Sequence, residues 1–182
     1  MRKSLERAHS FQKAQKTFVP DQRLFFLIGN QDYSIRREAE GYDGFVDLPA
    51  VIEDIQNARD GLIDLGISSD AIIEIYDADF TTISRDVIQF AEGNISANWL
   101  NGKQKTMIFV YYAGHGIMSN FTKAVCNSPD QRNRVSYPLE SNLRVLGTKP
   151  GAFVMGVFDC CRASFVEPES KRGISSEDNN VN

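Results

Sequence analysis

Residues 105–116 read KTMIFVYYAGHG, an apolar and aromatic run that stops at a Gly-His-Gly turn. A short continuous apolar run of this kind is typical of a strand buried on both faces of a parallel sheet. The chain contains only two histidines, and one of them, His115, directly follows this strand. The glycines beside it let the backbone turn sharply and let a ligand approach closely. The segment therefore predicts a central strand with a polar site at its carboxyl end.

Three further apolar runs are predicted to be strands of the same sheet: RLFFLIGNQDY (23–33), AIIEIYDA (71–78) and GAFVMGVFDCC (151–161). Segments with helical periodicity separate the strands, at 48–66, 82–99 and 138–147. In the second helix, one face is predicted to bury Ile83, Val87, Phe90, Ala91 and Ile95. Residues 119–137 show little pattern and are predicted to form a loop. Strands that alternate with helices predict an α/β fold, with a mostly parallel sheet and helices on both faces.

Composition and charge narrow the class of protein. The chain has 182 residues, 42% of them hydrophobic, which is enough for one globular domain with a sizeable core. Its net charge of −4 offers no electrostatic reason to bind nucleic acid, and no apolar run approaches the roughly 20 residues of a membrane span. We find no signal-peptide pattern at the N-terminus. Three cysteines, two of them adjacent, suit a reducing compartment, so we expect a cytoplasmic protein.

Two chemically reactive segments follow predicted strands, AGHG (113–116) and FDCCRA (158–163). Ligands of open α/β sheets bind beyond the carboxyl ends of the strands. If the two strands are neighbours, His115 and one of the paired cysteines emerge at the same edge, where an imidazole can activate a thiol nucleophile. Taken singly, a histidine at a strand end is more often structural, and cysteines ending an apolar strand are more often buried hydrophobes. Adjacent cysteines with one histidine lack a usual zinc spacing, so we predict no metal site.

The two motifs together resemble those of the caspase-like cysteine peptidases of clan CD, and the resemblance runs from about residue 23 to 165. His115 and Cys161 are separated by about the 50 residues expected in caspases. The resemblance implies that Cys161 is the nucleophile, His115 the general base and acid, and the N–H groups of Gly116 and Cys161 the oxyanion hole. It also implies a three-layer α/β/α sandwich with at least four strands, corresponding to the family's large subunit. The small-subunit strands are missing, so we expect a sheet edge open to a small-subunit partner or to a homodimer.

The pattern around the first helix resembles the metacaspase and paracaspase branches, which carry L-x5-D where caspases have an arginine. Leu48 and Asp54 match that pattern, and Asp159 is the acid of D-x-C. In those branches the two acids line the S1 pocket for a basic side chain, and a guanidinium pairs well with carboxylates. Ala50 and Glu53 stand where the family usually has Gly and Asn, and DCCRAS departs from the usual metacaspase DSCHSG. The motifs do not separate the two branches. Without the resemblance, Asp54 reads as a solvated helix acid and Asp159 as a residue that orients its neighbours.

The sequence predicts a cysteine endopeptidase that cleaves peptides and proteins after arginine or lysine without a cofactor. Calcium activates many metacaspases, but we can read no calcium-binding loop in this chain. Two other classes stay open: a catalytically silent caspase-like adaptor that needs a small-subunit partner, and, much more weakly, a nucleotide-binding module. We divide the chain into a polar arm (1–22), a peptidase domain (23–165) and a disordered polar tail (166–182).

Overall fold

The structure is a computed structural model that describes residues 20–34, 45–118, 120–127, 136–160 and 162–163. The predicted polar tail, and nearly all of the predicted arm, lie outside the described residues. The strands are β1 Gln22–Gly29, β2 Ile72–Tyr76, β3 Thr106–Ala113, β4 Gly116–Met118, β5 Thr122–Val125, β6 Ser136–Tyr137, β7 Ala152–Asp159 and β8 Arg162–Ala163. The helices are α1 Val51–Asp64, α2 Phe80–Thr82, α3 Phe90–Leu100 and α4 Leu139–Gly147, with a 3₁₀ turn at Ser69–Ala71 and a π-helical segment at Ile83–Gln89.

Four of these strands form the main sheet, in the order β2-β1-β3-β7, and every neighbouring pair is parallel. Strand β3 is central, as the apolar run at 105–116 predicts. The strands predicted from 23–33, 71–78 and 151–161 are all present in this sheet. The prediction of an α/β fold with a parallel sheet is confirmed. The two strands that end at the histidine and the cysteine motifs are direct neighbours.

Helices cover both faces of the sheet, because alternate residues of the central strands point to opposite sides. On one face, Leu27 and Ala113 pack against Val51 and Ile55 of α1. On the other face, a larger apolar cluster joins the sheet to α3, α4 and the π-helical segment. Gly29 allows α1 to approach β1 closely, since a Cβ there would lie 2.7 Å from Cγ1 of Ile55. This close packing determines where the first turn of α1 lies relative to the carboxyl end of the sheet.

The prediction for the second helix is wrong at Phe90. Four of the five residues predicted on its buried face are fully or almost fully buried, but Phe90 is 47% exposed. Its ring only touches Phe26 edge-on at the rim of the core. A four-residue spacing drifts by about 40° per step on an α-helix. The wider π-helical segment offsets this drift and buries Ile88 in addition.

The predicted loop at 119–137 contains two short strands, which is a second correction. Strands β4, β5 and β6 form an antiparallel ladder, and β8 adds to β4 in parallel. This small sheet follows directly after Gly114 and His115. The strands have two to four residues each, too few to show a period in the sequence. The chain after the histidine turn therefore continues into a small ordered sheet.

Strand β7 is an edge of the main sheet among the described residues, and one of its faces is apolar and open. Phe153, Met155 and Val157 are 41%, 43% and 41% exposed. Their partners on β3 lie under or beside α1, but no described helix covers the β7 side. Across the same described residues, no helix has the length and apolar character that crossing a membrane requires.

Candidate active site

The carboxyl ends of β3 and β7 bring the histidine turn and the cysteine motif together. Ala113 and Asp159 are register partners at the last position of the two strands. Just beyond them, the N–H of Gly114 donates to the carbonyl oxygen of Asp159 at 3.3 Å. His115 is the residue after Gly114, and Cys160 is the residue after Asp159. The predicted neighbourhood of the two motifs is therefore confirmed for the backbone.

Gly114 makes the turn before the histidine possible. Its φ of +150° lies in a region that side chains rarely adopt. A Cβ at this position would lie 2.8 Å from the hydroxyl of Tyr112, 2.9 Å from the hydroxyl of Tyr33 and 3.0 Å from the carbonyl oxygen of Asn30. Only glycine fits, so the glycine that precedes His115 serves backbone geometry and close packing.

The His115 backbone is hydrogen-bonded on both sides. Its N–H donates to the hydroxyl of Tyr33 at 2.9 Å, and its carbonyl oxygen accepts from the hydroxyl of Tyr112 at 2.7 Å. The same carbonyl oxygen also accepts from the N–H of Val125 in β5 at 3.0 Å. These bonds hold the backbone of His115 in place, so a backbone change cannot turn its side chain away.

The His115 ring has a defined tautomer. Its Nε2 lies 2.8 Å from the carbonyl oxygen of Val46. A carbonyl oxygen can only accept, so Nε2 carries the hydrogen of the neutral ring and Nδ1 keeps a lone pair. Nδ1 is thus the ring nitrogen that can accept a proton. Sequence reasoning missed Val46, because its contribution is a backbone oxygen that any residue could supply.

Two aromatic rings flank the imidazole. The ring centroids of Tyr33 and Phe45 lie 4.7 Å and 5.0 Å from that of His115, with interplanar angles of 56° and 54°. They restrict rotation of the imidazole and, once it is protonated, place π-systems beside its positive charge. The sequence pattern placed Tyr33 at the end of the predicted strand 23–33 and gave neither ring a role.

Tyr33 is the main support of this arrangement. Its side chain is fully buried, and its hydroxyl donates to the carbonyl oxygen of Asn30 at 3.1 Å while accepting from His115. Burial raises the pKa of Tyr33 to about 12, so the hydroxyl keeps its proton at any ordinary pH. Tyr33 therefore stays protonated, and its hydroxyl links the end of β1 to the histidine turn through hydrogen bonds.

The loop that carries Tyr33 is held by polar side chains the sequence analysis did not single out. The amide of Asn30 is fully buried; it donates to the carbonyl oxygens of Ala78 and Val125 and accepts from the N–H of Ala78. Asp77, at a φ of +49°, accepts from the N–H groups of Gln31 and Asp32, both at 2.8 Å. Polar residues at the ends of the apolar runs 23–33 and 71–78 were the only available signal.

Cys161 lies outside the described residues, so its contact with His115 stays a prediction. The backbone on either side of it is described. Asp159 pairs with Ala113, and Arg162 pairs with Gly116, the residue after the histidine. The predicted oxyanion residue Gly116 is the buried first residue of β4, and its role in catalysis likewise stays a prediction. Among the residues that the structure describes, no group of three or more potential ligands could hold a metal ion.

The two predicted S1 acids lie near the same tyrosine. Asp54 is on the first turn of α1, and Asp159 is the exposed last residue of β7. The hydroxyl of Tyr111 donates to Oδ2 of Asp159 at 3.1 Å. Burial raises the pKa of Tyr111 most, and the Asp159 hydrogen bond and the charge of Asp54 raise it further. Both carboxylates therefore act on one phenol, although they come from different elements.

A family model described as the caspase domain matches residues 22–182, most of the chain. The match includes all the strands and helices described above. A comparison with curated proteins gives no significant match.

Proposed function

The chain belongs to the caspase-domain family of cysteine peptidases, and from that premise we propose that it is an endopeptidase that cleaves after arginine or lysine. The observation that carries the proposal is the ring of His115. With Nε2 bonded to the carbonyl oxygen of Val46, Nδ1 is left as a base beside the backbone that leads into the DCC motif. This arrangement supports the proposed role of His115 as the base that activates Cys161.

In the proposed mechanism Cys161 is the nucleophile. Nδ1 of His115 takes the thiol proton, and the sulfur attacks the carbonyl carbon of the scissile bond. The N–H groups of Gly116 and Cys161 hold the oxyanion of the tetrahedral intermediate. Nδ1 returns the proton to the leaving amine, and a water molecule then hydrolyses the thioester by the same route in reverse. Val46 keeps the imidazole in its tautomer at each step.

Asp54 and Asp159 form the proposed pocket for the basic side chain of the substrate. The support is the hydrogen bond from Tyr111 to Asp159, together with the charge of Asp54, which also raises the pKa of Tyr111. A guanidinium or ammonium group that enters between the two acids exchanges its hydration for charge-assisted hydrogen bonds. The Tyr111 ring also packs against the apolar cluster under α1, and apolar surroundings strengthen such an interaction.

This chemistry needs no cofactor, and calcium is included in the test below as an activator only. Three cysteines, two of them adjacent, suit a reducing compartment, so the cytoplasm is the proposed location. The open edge of β7 is the proposed contact for a small-subunit partner or a second copy of the chain.

The alternative is a catalytically silent caspase-like adaptor. The uncovered apolar face of Phe153, Met155 and Val157 favours it, because a surface of this kind is typical of a module that works only when a partner binds. The two functions differ in whether the thiol of Cys161 is activated by His115.

The test is hydrolysis of paired fluorogenic peptides that end in arginine, lysine or aspartate, with and without calcium. Cys161→Ala should abolish cleavage, whereas Cys160→Ala, which removes the adjacent thiol, should retain it. Cleavage after aspartate would contradict the acidic pocket and leave the dyad standing. If no peptide is cleaved, the alkylation rate of Cys161 in the wild type and in His115→Ala decides: equal rates support the adaptor.

A further inference from the structure

Tyr111 on β3 contacts Asp159, one of the two acids of the proposed S1 pocket. Its register partners are Leu27 on β1, which is fully buried, and Val157 on β7, which is 41% exposed. The ring packs against the apolar cluster formed with Val51 and Ile55 of α1. One side of the phenol is therefore fixed by the core, and the other faces the open side of β7.

The hydroxyl of Tyr111 has one described partner, Oδ2 of Asp159 at 3.1 Å. Asp159 is exposed, so without this bond its carboxylate could rotate freely in water. The nearby carboxylates and burial keep the phenol protonated, which makes it a permanent donor at any pH suitable for an assay. The bond thus restricts the rotation of the carboxylate relative to the ring.

A carboxylate whose rotation is restricted discriminates between the two basic side chains. Arginine presents a planar fork of N–H groups that needs two aligned acceptors, and its flat guanidinium stacks on an aromatic face. Lysine is a compact point charge with rotatable donors, so it gains less from an oriented carboxylate and a ring. The arrangement favours a planar, delocalised cation.

We infer that Tyr111 is a specificity-determining residue that selects arginine over lysine by orienting Asp159 and by offering its ring to the guanidinium. The inference rests on the proposed function, because it assigns a role within the same acidic pocket. Tyr111 lies on β3, whereas Asp54 lies on α1 and Asp159 on β7. It goes beyond the two-carboxylate pocket, which by itself accepts either cation.

The first test is Tyr111→Phe, which keeps the ring and removes the hydroxyl. We expect kcat/KM for arginine peptides to fall about tenfold, the size expected for one hydrogen bond to a charged group, and mainly through KM. For lysine peptides the fall should be about threefold or less, since a point charge tolerates a rotated carboxylate. The arginine-to-lysine ratio is therefore the readout, and a general loss of structure would not change it.

Tyr76→Phe is the matched control. The hydroxyl of Tyr76 also donates to a carboxylate, Oε2 of Glu74 at 2.8 Å, but on the edge strand β2. This variant should leave the ratio unchanged. An unchanged ratio in Tyr111→Phe as well would overturn the inference while leaving the peptidase proposal intact.

A binding measurement separates the inference from the peptidase activity. Butylguanidine and butylamine are titrated by NMR into Cys161→Ala, with and without Tyr111→Phe. We expect tighter binding of butylguanidine and loss of that preference in the double variant. That result would support the inference even if no peptide is cleaved. Equal binding of the two ligands, or a preference unaffected by Tyr111→Phe, would overturn it.

Discussion

At the scale of single residues, the site is organised around His115 and Tyr33. The histidine is bonded through its N–H, its carbonyl oxygen and its ring Nε2, and each bond comes from a different part of the chain. Tyr33 takes part twice, through its hydroxyl and through its ring. A base held in this way needs little reorganisation during proton transfer, which is how preorganised sites gain rate.

Tyr33→Phe tests the hydrogen bonds of the Tyr33 hydroxyl. The ring stays beside His115, but the N–H of His115 and the carbonyl oxygen of Asn30 each lose a bond. We expect unfolding to become easier by about 1–3 kcal/mol, measured in urea, because buried polar groups are left unpaired. Alkylation of Cys161 should also slow, because the histidine is less well held. Unchanged alkylation in a destabilised variant would mean that Tyr33 supports the fold only.

Gly114→Ala tests the turn itself. The new methyl group would meet two hydroxyls and a carbonyl oxygen within about 3 Å, at a backbone conformation unfavourable to alanine. We expect loss of peptidase activity together with reduced stability. Gly93→Ala is the control, because nothing lies within 4 Å of a Cβ there and the residue is inside α3. That variant should gain about 0.5–1 kcal/mol in a thermal or urea unfolding experiment.

At the scale of elements, the packing of α1 against β1 determines where Asp54 lies. Gly29→Ala would place a Cβ 2.7 Å from Ile55 and 3.0 Å from Val51, so the helix must move outward. We expect about 1–3 kcal/mol of destabilisation and a raised KM for arginine peptides. Gly61→Ala, on the open side of the same helix, should instead stabilise the protein slightly. Equal effects of the two substitutions would contradict the close-packing argument.

The hairpin of β4 and β5 is attached to α4 through Glu140. The Thr122 N–H, followed by the Arg144 side chain, lowers the pKa of Glu140 to about 2. Because the folded pKa is below the unfolded one, this stabilisation is complete above about pH 4.5 and is lost as the pH falls towards 2. Urea unfolding across that range should show the loss. Glu140→Gln should be less stable at neutral pH and flatter in this window; a parallel pH profile would contradict the assignment.

At the scale of the whole molecule, the two edges of the main sheet differ in chemistry. Edge strand β2 carries Glu74, which pairs with Arg59 at 2.9 Å and accepts from Tyr76. Charged side chains of this kind protect an edge from pairing with another chain. Edge strand β7 instead exposes three large apolar residues on one face. Among the described residues, β7 is therefore the edge at which we predict association.

The double substitution Met155→Lys and Val157→Lys tests whether β7 is the edge that associates. We expect the wild type to associate with increasing concentration in analytical ultracentrifugation and the variant to stay monomeric. Leu65→Lys is the control, because Leu65 is 80% exposed at the end of α1, away from β7. It should associate like the wild type. Association unaffected by the β7 substitutions would contradict the assigned surface.

Much of the fold was predictable because local pattern and global packing agree. The apolar run before His115 is long and uninterrupted, and β3 is indeed central. The prediction failed at Phe90, where a π-helical segment changes the helical phase, and at β5 and β6, which are too short to have a period. For the site, the sequence singled out His115, Cys161, Gly116, Asp54 and Asp159, and their roles stay predictions. It could not find Tyr33, Asn30 or Val46, because they act through contacts with residues far away in the chain.

The order of apolar runs and glycine stops was enough to specify the parallel α/β sheet, and it predicted the ends of β3 and β7 as the edge that carries the site, since both depend on short-range patterns. Only the tertiary structure decided which nitrogen of the His115 ring carries the hydrogen, the hydrogen bonds of the Tyr33 hydroxyl and the bond from Tyr111 to Asp159. Each of these depends on angles and distances between elements, which arise when α1 packs against Gly29 and the loop after β1 folds over the turn at Gly114. Residue types alone do not encode such distances, because a hydrogen bond is directional and forms only after the surrounding core has closed.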